Sequence, residues 1–257
     1  MKRRIITTAI VLMASFLPIT GCGTGSGAGS ATATAAAAPA AATPATATSA
    51  AAAAATAATS TPPKSFSNAD LTGLISTLKD AKGRQLTVIP AAQIDQGIIK
   101  AKEALKTAVF TPAACKVFAD SSAQVPDGST YAGGTSIAAT DKTTTVVTVI
   151  ALKDTQAMTD QLKASKSAAA QCQTFTVEAA GKKVTTKTTP VDAATEGDAS
   201  FAALTKQSLA TGQVQTALTV TGIKGNLAVT AVKAGPSVTQ QASAELTKLI
   251  NTILAHG

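Results

Sequence analysis

The chain has 257 residues, 45% of them hydrophobic, and carries 22 lysines and arginines against 14 acidic residues for a formal charge of +8. Tryptophan is absent, Tyr131 is the single tyrosine and the basic residues are scattered, so the stacking platforms and basic stripe of a nucleic-acid binder are missing. The single histidine, His256, sits beside the C-terminus where a chain end is solvated, and no cysteines stand at metal-binding spacing, which excludes catalytic triads and zinc sites.

In chain order, Lys2, Arg3 and Arg4 precede an apolar run from Ile5 to Leu17, suited to the core of a signal peptide and too short for a permanent membrane span. Pro18 ends that run, and Ile19-Thr20-Gly21-Cys22 resembles the lipobox of bacterial lipoproteins. The resemblance implies a signal peptide over residues 1–21, diacylglycerol on the Cys22 thiol, and a mature protein held by lipid on the extracellular face of a cell membrane. Losing Lys2, Arg3 and Arg4 lowers the formal charge from +8 to +5, and the remaining scattered lysines read as a solvated surface.

Residues 22–64 then form a lipidated cysteine and a tether of Ala, Thr, Ser, Gly and Pro, uncharged before Lys64 and without large apolar side chains to bury. As a coil such a tether spans roughly 35–40 Å. Gly23, Gly25, Gly27 and Gly29 do not make a phosphate loop, because no strand precedes them and no helix opening with Lys-Ser or Lys-Thr follows.

Residues 65–257 are 193 in number, enough for one domain with a sizeable core. Leu71, Leu74, Ile75 and Leu78 recur at helical spacing after the capping candidates Ser67 and Asn68. A short strand is predicted over Gln85–Ile89 and a second helix through Ile94, Ile98, Ile99, Ala101 and Leu105 after Pro90. Pro112–Ala119 reads as a short helix carrying Cys115. Thr130–Ala138 and Thr143–Leu152 read as strands around an Asp141-Lys142 turn, the second with the continuous Val and Ile content of a strand covered on both faces. Asp154 is positioned to cap a helix with Met158, Leu162 and Ala169 on one face, and strands follow at Thr174–Glu178 and Lys182–Thr189 around Gly181. Val214, Thr216, Leu218 and Val220 alternate with polar or small residues. Gly222 to Gly225 is expected to turn the chain into a partner strand, Asn226–Val232. Pro236 is expected to open a last helix, its stripe of Ala242, Leu246, Leu249, Ile250 and Ile253 on the sheet and Glu245 and Lys248 in water. The expected fold is α+β, an antiparallel sheet with packed helices. With Cys22 lipidated, Cys115 and Cys172 are left to form a disulfide in an oxidising compartment.

Ala169-Ala170-Gln171-Cys172 leading into Phe175-Thr176-Val177, then Gly225-Asn226-Leu227-Ala228-Val229, then Ala242 to Ile250 as closing helix, resemble in order the PknH-like extracellular sensor domains of actinobacteria. The resemblance runs in outline from Leu71 to Leu254. It implies a mixed sheet-and-helix domain with a cleft that binds an envelope ligand rather than catalysing, and it assigns no ligand residues.

Residues that could carry chemistry are few. Ser76-Thr77-Leu78-Lys79 matches the Ser-x-x-Lys pattern of penicillin-recognising enzymes, but the partner motifs are missing and the same residues fit a plain amphipathic helix. Asp192, Glu196 and Asp198 cluster in a Thr, Gly and Ala-rich stretch that reads as a solvated loop rather than a glycosidase pair or a calcium loop. The expectation is a non-enzymatic, sensor-like ligand-binding lipoprotein without metal or cofactor, its partners the membrane and an envelope small molecule, lipid or polymer. The alternatives are a carrier of lipid or another amphiphile, and a structural lipoprotein without a small ligand.

Overall fold

The computed structural model describes residues 64–116, 125–179 and 181–256. The expected signal peptide, the Cys22 lipidation site and the tether up to Pro63 lie outside the described residues. The elements are α1 (Asn68–Thr77), β1 (Thr87–Ile89), α2 (Ala91–Lys106), β2 (Val109–Thr111), β3 (Thr130–Ala138), β4 (Thr143–Ala151) and α3 (Thr155–Gln171). β5 (Thr174–Ala179), β6 (Lys182–Pro190), β7 (Ala199–Leu209), β8 (Val214–Lys224), β9 (Leu227–Gly235) and α4 (Ser243–Leu254) follow. No described helix is long and apolar enough to cross a membrane.

Among the described residues, nine strands join one antiparallel sheet in the order β1-β3-β4-β9-β8-β7-β6-β5-β2, and the fold is α+β as the periodicities predict. Helices cover both faces of its centre. On one face, Leu71 and Ile75 of α1 and Leu246, Ile250, Ile253 and Leu254 of α4 pack with Val147, Val149, Leu218, Val220, Leu227 and Val229. On the other, Ile94 of α2 and Met158 and Leu162 of α3 meet Ile150, Leu152, Ile223 and Ala228. β4 lies between β3 and β9 and buries alternate residues to each face, which is why its sequence is nearly continuous in Val and Ile.

Local signals set the helix starts. The Ser67 hydroxyl accepts from the Asp70 N–H at 3.2 Å while the Asp70 carboxylate accepts from the Ser67 N–H at 2.9 Å, closing a capping box. Asn68 does not cap; its Oδ1 accepts from the Tyr131 N–H and ties α1 to β3. Asp154 caps α3 through the N–H groups of Gln156 and Ala157.

The structure adds one strand that the periodicities do not show and corrects four expectations. The segment from Ala199 to Leu209 is a long strand, β7, although its sequence carries no clean alternation and its centre is Ala202-Ala203. It forms because β6 and β8 supply ladders on both sides and bury both alanines. Gly222 belongs to β8, and the hairpin turns at Gly225-Asn226 instead. The chain after Pro236 makes a 3₁₀ turn, Gln240–Ala242, before α4 begins at Ser243. Glu245 is partly buried and accepts from Lys233 Nζ of β9 at 2.6 Å, because α4 lies low enough over the sheet to bring the pair together. The short helix around Cys115 is a 3₁₀ turn, Ala113–Cys115, and its predicted continuation beyond Lys116 lies outside the described residues.

Two polar contacts make measurable predictions. Asp80 closes the turn after α1 and is buried; its carboxylate accepts from Ser136 Oγ at 2.8 Å, Arg84 Nε at 2.8 Å and the N–H groups of Lys82 and Arg84. Burial alone pushes this carboxyl up, but the hydrogen bonds from Ser136, Arg84 and Lys82 together outweigh it and hold it below its ordinary 3.8. A carboxyl lowered on folding contributes stability above its ordinary value and loses it as pH falls through the folded value. Asp80→Asn is therefore expected to lower stability by about 1–2 kcal/mol at neutral pH and to flatten the decline of the melting temperature below pH ~4, checked by calorimetry across pH.

The Tyr131 hydroxyl donates to Asp95 of α2. Burial, the hydrogen bond to Asp95 and the charge of Asp95 push its phenol up to about 12. With one tyrosine and no tryptophan in the chain, phenolate absorbance reads this group alone. The expected midpoint is about 12 in the native protein, falling toward the ordinary 10.0 in Asp95→Asn. A native midpoint near the ordinary value would mean that the phenol is not held buried against Asp95.

Candidate functional site

β6 ends at Pro190, and residues 191–198 return across the sheet before β7 begins. The path is pinned to the frame at several points. The Val191 N–H donates to Ala202 O at 3.0 Å, the Asp198 N–H to Ile223 O at 2.6 Å, and the Glu196 N–H to Asn251 Oδ1 of α4 at 2.9 Å. Asp198 Oδ2 accepts from the Gly225 N–H at 2.8 Å and so holds the β8–β9 turn. Close approach is what lets the segment lie there. A Cβ on Gly197 would stand 2.3 Å from Ile223 O, and a Cβ on Gly222 would stand 2.8 Å from Thr195 Oγ1 and 3.0 Å from Ile250.

This segment and the outer side of α4 enclose a cleft of about 670 Å³, open to solvent. Asp192 and Glu196 line one wall, and Ser243, Thr247, Lys248, Asn251 and Thr252 the other. The amphipathicity of α4 explains this wall: its buried stripe of Leu246, Leu249, Ile250 and Ile253 grips the sheet, which turns the polar side outward. Two carboxylates, one ammonium, an amide and several hydroxyls thus converge on a small concave surface. Such a set can orient a hydrophilic ligand bearing hydroxyl and amine groups.

A second open cleft of about 510 Å³ involves Lys64, Phe66, Asp70, Leu74, Thr77 and His256. Lys64 Nζ lies 5.0 Å from the Phe66 ring centroid and donates to His256 O at 3.1 Å, while Asn226 Nδ2 donates to Lys64 O. The first described residue is thereby bound beside the C-terminus and the β8–β9 turn. His256 is exposed, as its place near the chain end predicts.

The acidic trio of Asp192, Glu196 and Asp198 is divided by the structure. Asp192 and Glu196 face the first cleft, and Asp198 serves the turn. Ser76 and Lys79 do not form a one-turn pair, because α1 ends at Thr77 and Leu78 is already extended; the Ser76 hydroxyl donates to Gly73 O. Cys115 and Cys172 are joined, with Cα atoms 5.7 Å apart, under Phe110 and Phe175. The α4 contribution to the cleft, Lys248 and Asn251 above all, could not be assigned from sequence. Only its outward register was readable there, not what faces it.

No protein-family model matches the chain, and no curated protein is similar to it in sequence. Among solved structures, it is similar to the extracellular domain of PknH from Mycobacterium tuberculosis, at 16% identity and a TM-score of 0.40 over 49% of this chain. The chain spans 64% of that domain's length. It is also similar to an uncharacterized protein from Mycobacterium smegmatis, at 12% identity and a TM-score of 0.38 over 57% of this chain and 76% of that one. Both similarities are of structure at low identity and not of a sequence family.

Proposed function

We propose that this chain is a lipoprotein held at the extracellular face of a cell membrane by lipid on Cys22, and that its α+β domain is a non-catalytic module binding a hydrophilic envelope ligand between residues 191–198 and α4. The observation that carries the reading is the pinning of that segment. Hydrogen bonds from Asp198 to Ile223, Glu196 to Asn251 and Gly225 to Asp198 fix it to β8 and α4, so that Asp192, Glu196 and Lys248 start from a rigid frame. The Cys115–Cys172 bridge supports an exported location, since such bonds persist in oxidising compartments. A carrier of lipid is less well supported: among the described residues both faces of the sheet's centre are filled by helix side chains, and the cleft walls carry charges and hydroxyls.

Native mass spectrometry of the full-length chain taken from its own envelope, before and after organic extraction, tests this. A polar bound mass that survives extraction and is lost in the Asp192→Ala, Asn251→Ala variant supports the module. An extractable lipid mass, retained in that variant, sinks it in favour of a carrier. A bare protein under conditions that preserve complexes of a known binding protein leaves a structural role. Peptide mapping of the same sample tests the anchor: an N-terminal peptide beginning at Cys22 with acyl mass is expected, and an unmodified Cys22 removes the lipid from the reading.

A further inference from the structure

Helices cover the centre of the sheet on both faces, but on the face of α1 and α4 no described helix packs on β6, β5, β2 or the end of β7 beyond Leu204, which leaves this part bare among the described residues. α1 packs on β1 and β3, α4 packs on β8 and β9, and α3, which reaches β6 and β7, belongs to the opposite face. The register specifies what the bare half presents. One row across the strands is Thr111, Thr176, Thr185 and Ser208; the next is Thr174, Lys187 and Lys206; the row on the other side is Val109, Glu178 and Lys183. Lys183, Thr185, Lys187, Lys206, Thr174 and Thr111 are all exposed.

The charge on this surface is unbalanced in a specific way. Lys187 and Lys206 are direct partners across β6 and β7, so two ammonium-bearing side chains rise from Cα atoms roughly 4.5–5.5 Å apart. Like charges directly opposite in a ladder are destabilising. Among the described residues none of Lys183, Lys187 and Lys206 has a carboxylate within 4.0 Å, and Glu178, opposite Lys183, is the sole acid in these rows. Lys183 and Lys187 are four residues apart on one strand, roughly 13 Å, so the three amines line a track rather than a point. The hydroxyls of Thr174, Thr176 and Thr185 flank that track.

The position of this face selects the occupant. The chain enters the fold at Lys64, which is bonded to Asn226 at the β8–β9 turn. Lys206 is level with Thr216 and Gly235, at the other end of β8 and β9, roughly 25–30 Å away along the strands. The amines therefore stand far from the point where the tether joins.

We propose that the bare face of β7, β6, β5 and β2 docks a linear anionic polymer, its phosphate or carboxylate groups seated along Lys183, Lys187 and Lys206 and its backbone lying on the threonine rows. This surface is separate from the cleft beside α4 and stands whether or not that cleft holds a ligand.

The test uses the full chain in uncharged detergent with long-chain inorganic polyphosphate as probe, neutral dextran as control and phosphatidylglycerol mixed micelles as the competing source of phosphate. Polyphosphate is expected to bind, to shift the amide resonances of Thr176 and Thr185, and to release as added salt shortens the screening length to about 3 Å at 1 M. Lys187→Glu is the decisive variant. It converts a repulsive cross-strand pair into an attractive one, so its melting temperature is expected to rise by about 1–3 °C while its affinity for polyphosphate falls about tenfold or more. Better folding with weaker binding separates docking from a structural role. Unchanged affinity in Lys187→Glu, equal binding to dextran, or shifts produced by phosphatidylglycerol micelles but not by polyphosphate would each overturn the proposal, the last in favour of a lipid surface.

Discussion

Replacing Cys115 and Cys172 together by alanine is expected to lower the stability of the folded domain by about 4 kcal/mol and its melting temperature by roughly 8–16 °C. The bridge joins residues 57 apart in sequence, and opening a loop of that length restores a large conformational entropy to the unfolded chain. Where the bond sits adds to the effect. Cys115 ends the 3₁₀ turn after β2, a three-residue strand that among the described residues pairs only with β5, and Cys172 is the C-cap of α3. Around the bridge pack Phe110 and Phe175, with ring centroids 6.3 Å apart, together with Leu105 and Val177. Without the covalent tie, β2 is held by its few ladder bonds and this small cluster. Hydrogen exchange should therefore quicken first at Val109–Thr111 and only later at β4 and β9. Thermal melts of the variant, and of the native chain with and without reductant, provide the check. A loss under about 1 kcal/mol would mean that the cluster holds the edge without the bond.

Gly197→Ala is expected to cost about 2–4 kcal/mol and to abolish the binding proposed for the cleft beside α4. The added methyl would lie 2.3 Å from Ile223 O and 2.9 Å from Ile223 C, and both are backbone atoms. Ile223 cannot yield, because it is paired with Ala199 on one side and Ala228 on the other. The 191–198 segment must lift instead, which breaks the 2.6 Å bond from Asp198 N to Ile223 O and strains the bonds joining Glu196 to Asn251 and Asp198 to Gly225. Two alanine scans at other glycines calibrate the result. At Gly222 the new methyl meets Thr195 Oγ1 and the ends of Ile250 and Leu254, all side-chain atoms that can give way, so a smaller loss of about 1–2 kcal/mol is expected. Gly73 has nothing within 4 Å and lies in α1, where alanine is expected to stabilise by about 0.5–1 kcal/mol. Calorimetry on the three variants orders them. A Gly197→Ala protein as stable as the native chain would show that the segment does not rest on β8.

The cleft illustrates how a residue's role escapes sequence reading. Asp192, Glu196 and Asp198 are conspicuous as a group, and their loop character was legible from the Thr, Gly and Ala around them. Their division was not, because it depends on Asp198 meeting Gly225, 27 positions away, and on Glu196 meeting Asn251, 55 positions away. β7 escaped for a related reason. Ala and Ser carry little strand preference of their own, and Ala199–Leu209 is extended because two long neighbours hydrogen-bond to it along its length. The bare basic face was equally hidden: Lys187 and Lys206 are ordinary surface residues until the β6–β7 register sets them opposite one another.

What the sequence determined by itself is the set of features encoded in neighbouring residues. The stripe of α4, the doubly buried run of β4, the caps at Ser67 and Asp154 and the α+β class all follow from periods of two or 3.6 residues and from side chains that bond within one turn. The proposed lipoprotein signal over residues 1–21 with Cys22 rests on the same local kind of pattern and lies outside the described residues. The tertiary structure alone decided that β9 lies between β4 and β8, that the segment leading to the predicted Cys115–Cys172 bridge forms an edge strand on β5, and that a pinned segment faces α4 across a polar cleft. These depend on contacts between residues tens of positions apart, whose energies arise only when chain closure brings their elements together.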